Sequence, residues 1–325
     1  MIQEPKQIVI LSFDGAGKGK VISLEEFQAT RTSGQLFWVR VNLRGARKFL
    51  KDLGEVPPFV ADVLCTSETR PRSLVFEEGL CCNFRGVNLH QGSEPEDMVS
   101  VRLWMKQNLI VTVQRRSLVS TNEIEQKLLT GSGPKNAPEF LISLLNNLLE
   151  KTEDVVCALD DELDKLEDQM AVATGSDARE DRATLGALRR RIIMLRRYLI
   201  PQREAINRLQ VEITHWLTDL QLMQLREVSN SMIRLLEDLD AERDRGLVLH
   251  EEVSSLAQER INAKIYLLSV VTVIFMPLTF ITGLLGINVS GIPESHSPFG
   301  FAFVCIGLMV LAMVEVWILR KNKWL

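Results

Sequence analysis

Two long apolar runs close the chain, Ile265 to Gly286 and Phe299 to Leu319, and the dozen residues between them contain no Lys or Arg. The first run has 22 residues without a charge. As a helix it measures roughly 33 Å, enough to cross the hydrocarbon core of a bilayer. The second carries one acid, Glu315, near its end. Basic residues flank the pair on the outside, with Arg260 and Lys264 before it and Arg320, Lys321 and Lys323 after it. The positive-inside rule then puts both chain termini in the cytoplasm and the short loop outside, with about 260 residues in the cytosol. Met1 to Lys6 has no basic stretch followed by an apolar one, so no signal peptide is expected and insertion rests on the C-terminal helices.

The body of the chain is ordinary by composition. With 46% apolar and 25% charged residues it suits a folded domain, and its average hides the apolar end. A net charge of −4 and the lack of a basic arm argue against nucleic acid as a partner. Five cysteines, Cys65, Cys81, Cys82, Cys157 and Cys305, are an odd number without a disulfide framework, which fits reduced thiols.

Residues 1–138 read as a cytosolic α/β domain, a small sheet covered by helices. Gln7 to Phe13 is a β-rich run, and Asp14 to Gly19 turns it into Lys20-Val21-Ile22 as a hairpin. Further strands are expected at Trp38 to Leu43, Met98 to Met105 and Leu109 to Val113, with helices over Arg44 to Leu53 and Pro57 to Thr66. Residues 139–217 read as helical, with a break at Thr174-Gly175-Ser176-Asp177 and a kink or end at Pro201. A long helix is expected over 218–286, continuing into the first membrane span. Along it a heptad seam runs Val228, Met232, Leu235, Leu239, Glu242, Gly246, Leu249, Val253, Leu256, Arg260, Ala263 and Leu267. The seam fits an intramolecular bundle or an oligomeric stalk, and its continuity into the membrane favours the stalk. A short external loop at 287–298, a second membrane helix at 299–319 and a basic tail at 320–325 complete the order.

Gly286-Ile287-Asn288 stands where the first membrane helix leaves the outer face, followed by Val289-Ser290-Gly291-Ile292-Pro293-Glu294. A large α+β cytosolic domain, a very long helix, two C-terminal spans, Gly-x-Asn after the first and a basic tail together resemble the CorA family of divalent-cation transporters. The resemblance covers the whole chain. It implies a funnel-shaped homopentamer in a bacterial inner membrane, with the first membrane helices lining the pore and Gly286, Ile287 and Asn288 forming its outer entrance. Ile287 replaces the methionine usual in the magnesium branch. With Gly291-Ile292-Pro293 and Lys323-Trp324-Leu325, this looks like the zinc-transporting ZntB branch. Glu68-Thr69-Arg70-Pro71-Arg72 and Arg196 to Pro201 are further family-like segments. The resemblance implies zinc as the transported ion, with magnesium, cobalt, nickel and cadmium as alternatives, and no cofactor.

Asparagine suits such an entrance because neutral amide oxygens hold a hydrated cation's water shell without trapping the ion. The plainer use of Asn288 is as a helix C-cap. Ile265, Leu268, Thr272, Met276, Thr279 and Gly283 recur every three or four residues and share one helix face, the proposed pore lining. Thr272 and Thr279 offer hydroxyls there, and Leu268 with Met276 offers apolar constrictions. Equally, the threonines can bond their own backbone and Met276 can simply fill space.

Glu294 and His296 in the outer loop are candidates for gathering cations. The four histidines are scattered and no Cys-x-x-Cys pair exists, so no tight metal site is expected. The acids Glu237, Asp238, Asp240, Glu242, Asp244, Glu251 and Glu252 read as a solvated helix face with nearby arginine partners, or as cytosolic cation sites. Glu315 reads as a proton-coupling acid or as a side chain reaching the interface. Gly15-Ala16-Gly17-Lys18-Gly19-Lys20 falls one residue short of a phosphate-binding loop and has Val21 where Ser or Thr is required. With no nucleophilic or acid–base constellation in view, no enzyme is expected. A non-conducting, membrane-anchored scaffold or metal sensor is the reading from a different class.

Overall fold

The structure is a computed structural model that describes residues 8–67, 70–172, 178–287, 298–322 and 324. Two compact units divide the chain, Met1–His250 and Glu251–Leu325.

In the first unit, seven strands form one sheet: β1 (Ile8–Phe13), β2 (Gly19–Ile22), β3 (Phe37–Asn42), β4 (Arg72–Phe76), β5 (Gly79–Gly86), β6 (Val99–Lys106) and β7 (Leu109–Gln114). Their order is β2-β1-β3-β7-β6-β5-β4, parallel between β3 and β7 and antiparallel elsewhere. The strands expected at 38–43, 98–105 and 109–113 are β3, β6 and β7, with no end displaced by more than a residue.

Both faces of the sheet are covered. On one, Ile10, Val39, Trp104 and Val111 pack with α1 (Leu24–Thr30), α2 (Ala46–Leu53) and α3 (Pro58–Leu64). On the other, Leu11, Trp38, Leu103 and Ile110 meet α4 (Val119–Thr130), α5 (Ala137–Val172), α6 (Ala178–Glu212) and the start of α7 (Asp219–Leu285). Alternation along β5 sends Cys81 to the first core and Cys82 to the second. Burial pushes the Cys81 thiol up to about 11 and Cys82 well above its ordinary value.

The β1–β2 turn accounts for the glycine-rich hexamer. Asp14 Oδ1 accepts from the amides of Ala16 at 2.7 Å and Lys18 at 2.9 Å. Those bonds favour the carboxylate and hold Asp14 below its ordinary value. Gly17 has φ +108°, and a side chain there would meet the Gly133 carbonyl at 2.9 Å.

Two open expectations are narrowed. Of the kink or end expected at Pro201, the end does not occur, because α6 continues to Glu212. Leu195, Leu199, Ala205, Ile206 and Leu209 are buried on both sides of it, and that burial outweighs the lost amide bond. The heptad seam is covered within the subunit from Val228 through Leu249, where Val228, Met232, Leu235, Leu239 and Leu249 join the core. From Leu256 it is exposed. The intramolecular bundle therefore accounts for the seam's first half. The expected break at residues 174–177 lies outside the described residues, between α5 and α6.

Ion pairs tie α7 to α5 and α6. Arg245 pairs with Asp160 at 3.3 Å, with Asp164 at 2.5 Å and with Glu167, all on α5. Arg196 of α6 reaches Asp240 at 2.6 Å. Beside this cluster, burial first, and then the hydrogen bond and negative charge of Asp160, raise Glu242 from 4.5 to about 7. Asp164 adds to the rise, and Arg245 opposes it. The folded chain thus holds a proton that the unfolded chain releases at lower pH. The stability tied to that proton is complete below 4.5 and is lost as pH rises through about 7. Glu242→Gln is expected to flatten this fall when thermal unfolding is followed between about pH 5 and pH 8. An unchanged slope would assign it to another group.

Candidate functional site

In the second unit, α7 runs on to Leu285 and α8 covers Gly300–Lys321. Both are long and apolar enough to cross a membrane, and only 6% of each apolar window is buried. A core helix of a soluble domain would be covered, so these surfaces require an apolar solvent, other helices, or both. At the end of α8, Lys321 Nζ lies 5.0 Å from the centre of the Trp317 ring, a cation–aromatic pair of the kind found at membrane interfaces.

On α7, Ile265, Leu268, Thr272, Met276, Thr279 and Gly283 lie within one continuous helix. At 100° per residue their spacings keep them in a stripe roughly 80° wide and ~27 Å long, close to the thickness of the hydrocarbon core. Leu268 and Met276 are each 66% exposed, but Phe280, outside the stripe, is 69% exposed. Exposure in one chain does not single out the stripe, which holds two of the run's three threonines, Thr272 and Thr279, while Ser269 and Thr282 lie outside it. Thr272 Oγ1 donates to the Leu268 carbonyl at 2.8 Å. The hydroxyl proton is used locally, as the plainer reading expected, yet the oxygen lone pairs stay available to a cation or its water. Thr282, off the stripe, donates to Leu278 and Thr279 carbonyls, each at 3.0 Å. Beyond Gly283 an added Cβ would meet nothing within 4 Å.

The C-terminal end of α7 closes with the Gly286 amide donating to the carbonyls of Thr282 at 3.0 Å and Gly283 at 3.2 Å. Ile287 follows, exposed. Asn288, Glu294 and His296 lie outside the described residues, as do Glu68 and Thr69 of the earlier family-like segment. In α8, Glu315 Oε2 is buried with no hydrogen-bond partner among the described residues.

Two of the α7 acids read as cation ligands are already paired with arginine. Asp240 faces Arg196 and Arg243, Asp244 faces Arg243, and no group of three metal-ligating side chains occurs among the described residues. Sequence reasoning overlooked Asp160, Asp164 and Glu167 of α5 as the partners of Arg245. Their 160/164/167 spacing marks one helix face, but only the fold reveals that Arg245 meets it.

The family described as CorA-like Mg2+ transporter protein matches residues 33–321. The zinc transport protein ZntB of Yersinia enterocolitica is 32% identical over 318 residues, covering 97% of this chain and 96% of its own. The divalent cation transporter CmaX of Pseudomonas aeruginosa is 36% identical over 291 residues, covering 89% of this chain and 87% of its own. The solved structure of the full-length CmaX protein superposes with a TM-score of 0.84 at 32% identity, over 98% of this chain and 99% of that one. The family match runs from β3 to the end of α8, taking in the 67-residue α7 and both apolar windows, and the chain belongs to the CorA-like Mg2+ transporter family.

Proposed function

We propose that this chain carries zinc across a membrane through a path lined by the 265–283 stripe of α7, in a homo-oligomer of five subunits. Transport of a divalent cation as the class of activity follows from membership of the family. Zinc as the ion is supported by end-to-end similarity to a zinc transport protein and by Ile287 in the tripeptide at the end of the first span. The observation that carries the path is the narrow stripe that aligns Thr272 and Thr279 with Leu268 and Met276 over the length of the hydrocarbon core, while Tyr266, Ser269 and Thr282 of the same run lie off it.

In this reading Asn288 receives the hydrated ion at the outer mouth, with Gly286 and Ile287 shaping it, and Glu294 and His296 raise the local cation concentration. Thr279 and Thr272 hold the water shell further in. Met276, Leu268 and Ile265 form apolar constrictions, and Gly283 leaves the outer end wide. Weak contacts at several levels let the ion leave as readily as it enters. The basic residues outside the two spans support cytoplasmic termini, and a bacterial inner membrane is the corresponding location.

Uptake by the purified full chain in liposomes tests the assignment. Zinc is expected to enter faster than magnesium or cobalt, and Thr279→Val, which keeps the shape and removes the hydroxyl, is expected to slow it about tenfold, the equivalent of ~1.4 kcal/mol. Magnesium-dominated uptake would move the chain to the magnesium branch. No uptake of any ion by folded oligomers would point to a non-conducting scaffold.

A further inference from the structure

A cavity of about 900 Å³ opens in the first unit between the ends of β5, β6 and β7, the loop before β6 and the middle of α6. Arg70, Arg85, Arg102, Arg115, Arg116 and Arg197 line it, against only two acids, Glu94 and Asp97. Six guanidinium charges against two carboxylates leave four in excess. Glu68, next to it in the chain, lies outside the described residues, and its carboxylate would still leave three.

Arg102 is the informative member. Its side chain is 3% exposed, and among the described residues its guanidinium donates to the carbonyls of Leu64 at 3.2 Å and Ser67 at 3.5 Å. Its Nε has no partner among the described residues. Burial, with the like charges of Arg85 and Arg115, holds it below its ordinary value. Charges buried without a counter-ion cost several kcal/mol, and folds seldom keep one unless something offsets it. Two neighbours are fixed in place. Arg85 donates to the Met98 carbonyl at 2.7 Å and lies 4.2 Å from the Tyr198 ring centre, and Arg116 donates to Ser93 Oγ at 3.4 Å.

Planar guanidinium forks grouped around a space of this size match the oxygens of phosphoryl groups, and the volume lies within the range of small-molecule sites. We propose that this cavity is a binding site for a small phosphoryl anion, either free or carried by a nucleotide, separate from the cation path.

Calorimetric titration of the full chain in detergent, free of divalent cations and at fixed ionic strength, tests this with pyrophosphate, ATP, adenosine and chloride. Pyrophosphate is expected to bind. Arg115→Ala with Arg116→Ala is expected to weaken it at least tenfold while leaving the unfolding temperature of the empty protein unchanged, since both residues are exposed. ATP binding more tightly than pyrophosphate would identify a nucleotide as the occupant; equal or weaker binding would identify the free anion. Absence of binding, undiminished binding in the double variant, or equal competition by chloride would each overturn the proposal.

Discussion

Zinc uptake by Asn288→Ala is expected to fall at least thirtyfold, a loss of roughly 2 kcal/mol or more in the rate-limiting step. The proposed entrance works by replacing bulk water around a hydrated ion with amide oxygens at fixed positions. Alanine removes every one of those oxygens at once, because each subunit contributes a copy. Asn288→Gly separates this role from a helix cap. Glycine suits a helix C-cap better than asparagine does but brings no amide oxygen, so uptake should fall as far as with alanine if the oxygens matter and stay near normal if Asn288 only caps. Unimpaired uptake in the alanine variant, with the oligomer intact, would remove Asn288 from the path.

Trp38→Ala should cost the first unit about 3–5 kcal/mol. Trp38 is fully buried at the centre of the sheet, its ring centroid 4.8 Å from that of Phe140 on α5. Its Nε1 donates to Thr112 Oγ1 at 2.9 Å, and Thr112 is itself fully buried. Alanine therefore opens a cavity and also strands a hydroxyl. Urea unfolding of the full chain in detergent should show the midpoint of the first unit's transition falling. Trp38→Phe should recover part of the loss by refilling the space. A change below about 1 kcal/mol would mean the surrounding helices collapse into the gap.

Periodicity made much of this fold legible in the sequence. Trp38 to Leu43 and Met98 to Met105 alternate, so β3 and β6 were visible. Gly79-Leu80-Cys81-Cys82-Asn83-Phe84 does not alternate, because β5 is buried on both faces, and it went unplaced. The long helix was readable to within a residue at each end, since Pro277 does not interrupt it. What its seam packs against was not readable, because a heptad pattern looks the same whether the partner is α5, α6 or another subunit. The stripe on α7 follows from spacing alone. The arginine cavity does not, since Arg70, Arg85, Arg102, Arg115, Arg116 and Arg197 come from separate strands, loops and α6, and only the sheet topology gathers them.

Cysteine scanning of α7 measures the path most directly. In a background with Cys157 and Cys305 replaced by serine, single cysteines at Thr272, Met276 and Thr279 are compared with cysteines at Ile274 and Ile281, which lie on the opposite face at 100° per residue. A charged, water-soluble thiol reagent is then added while zinc uptake into liposomes is followed. Block at the three stripe positions, with little effect at Ile274 and Ile281, is the predicted result. Equal block on both faces, or none at Thr272, Met276 and Thr279 in variants that conduct, would contradict a zinc path lined by this stripe.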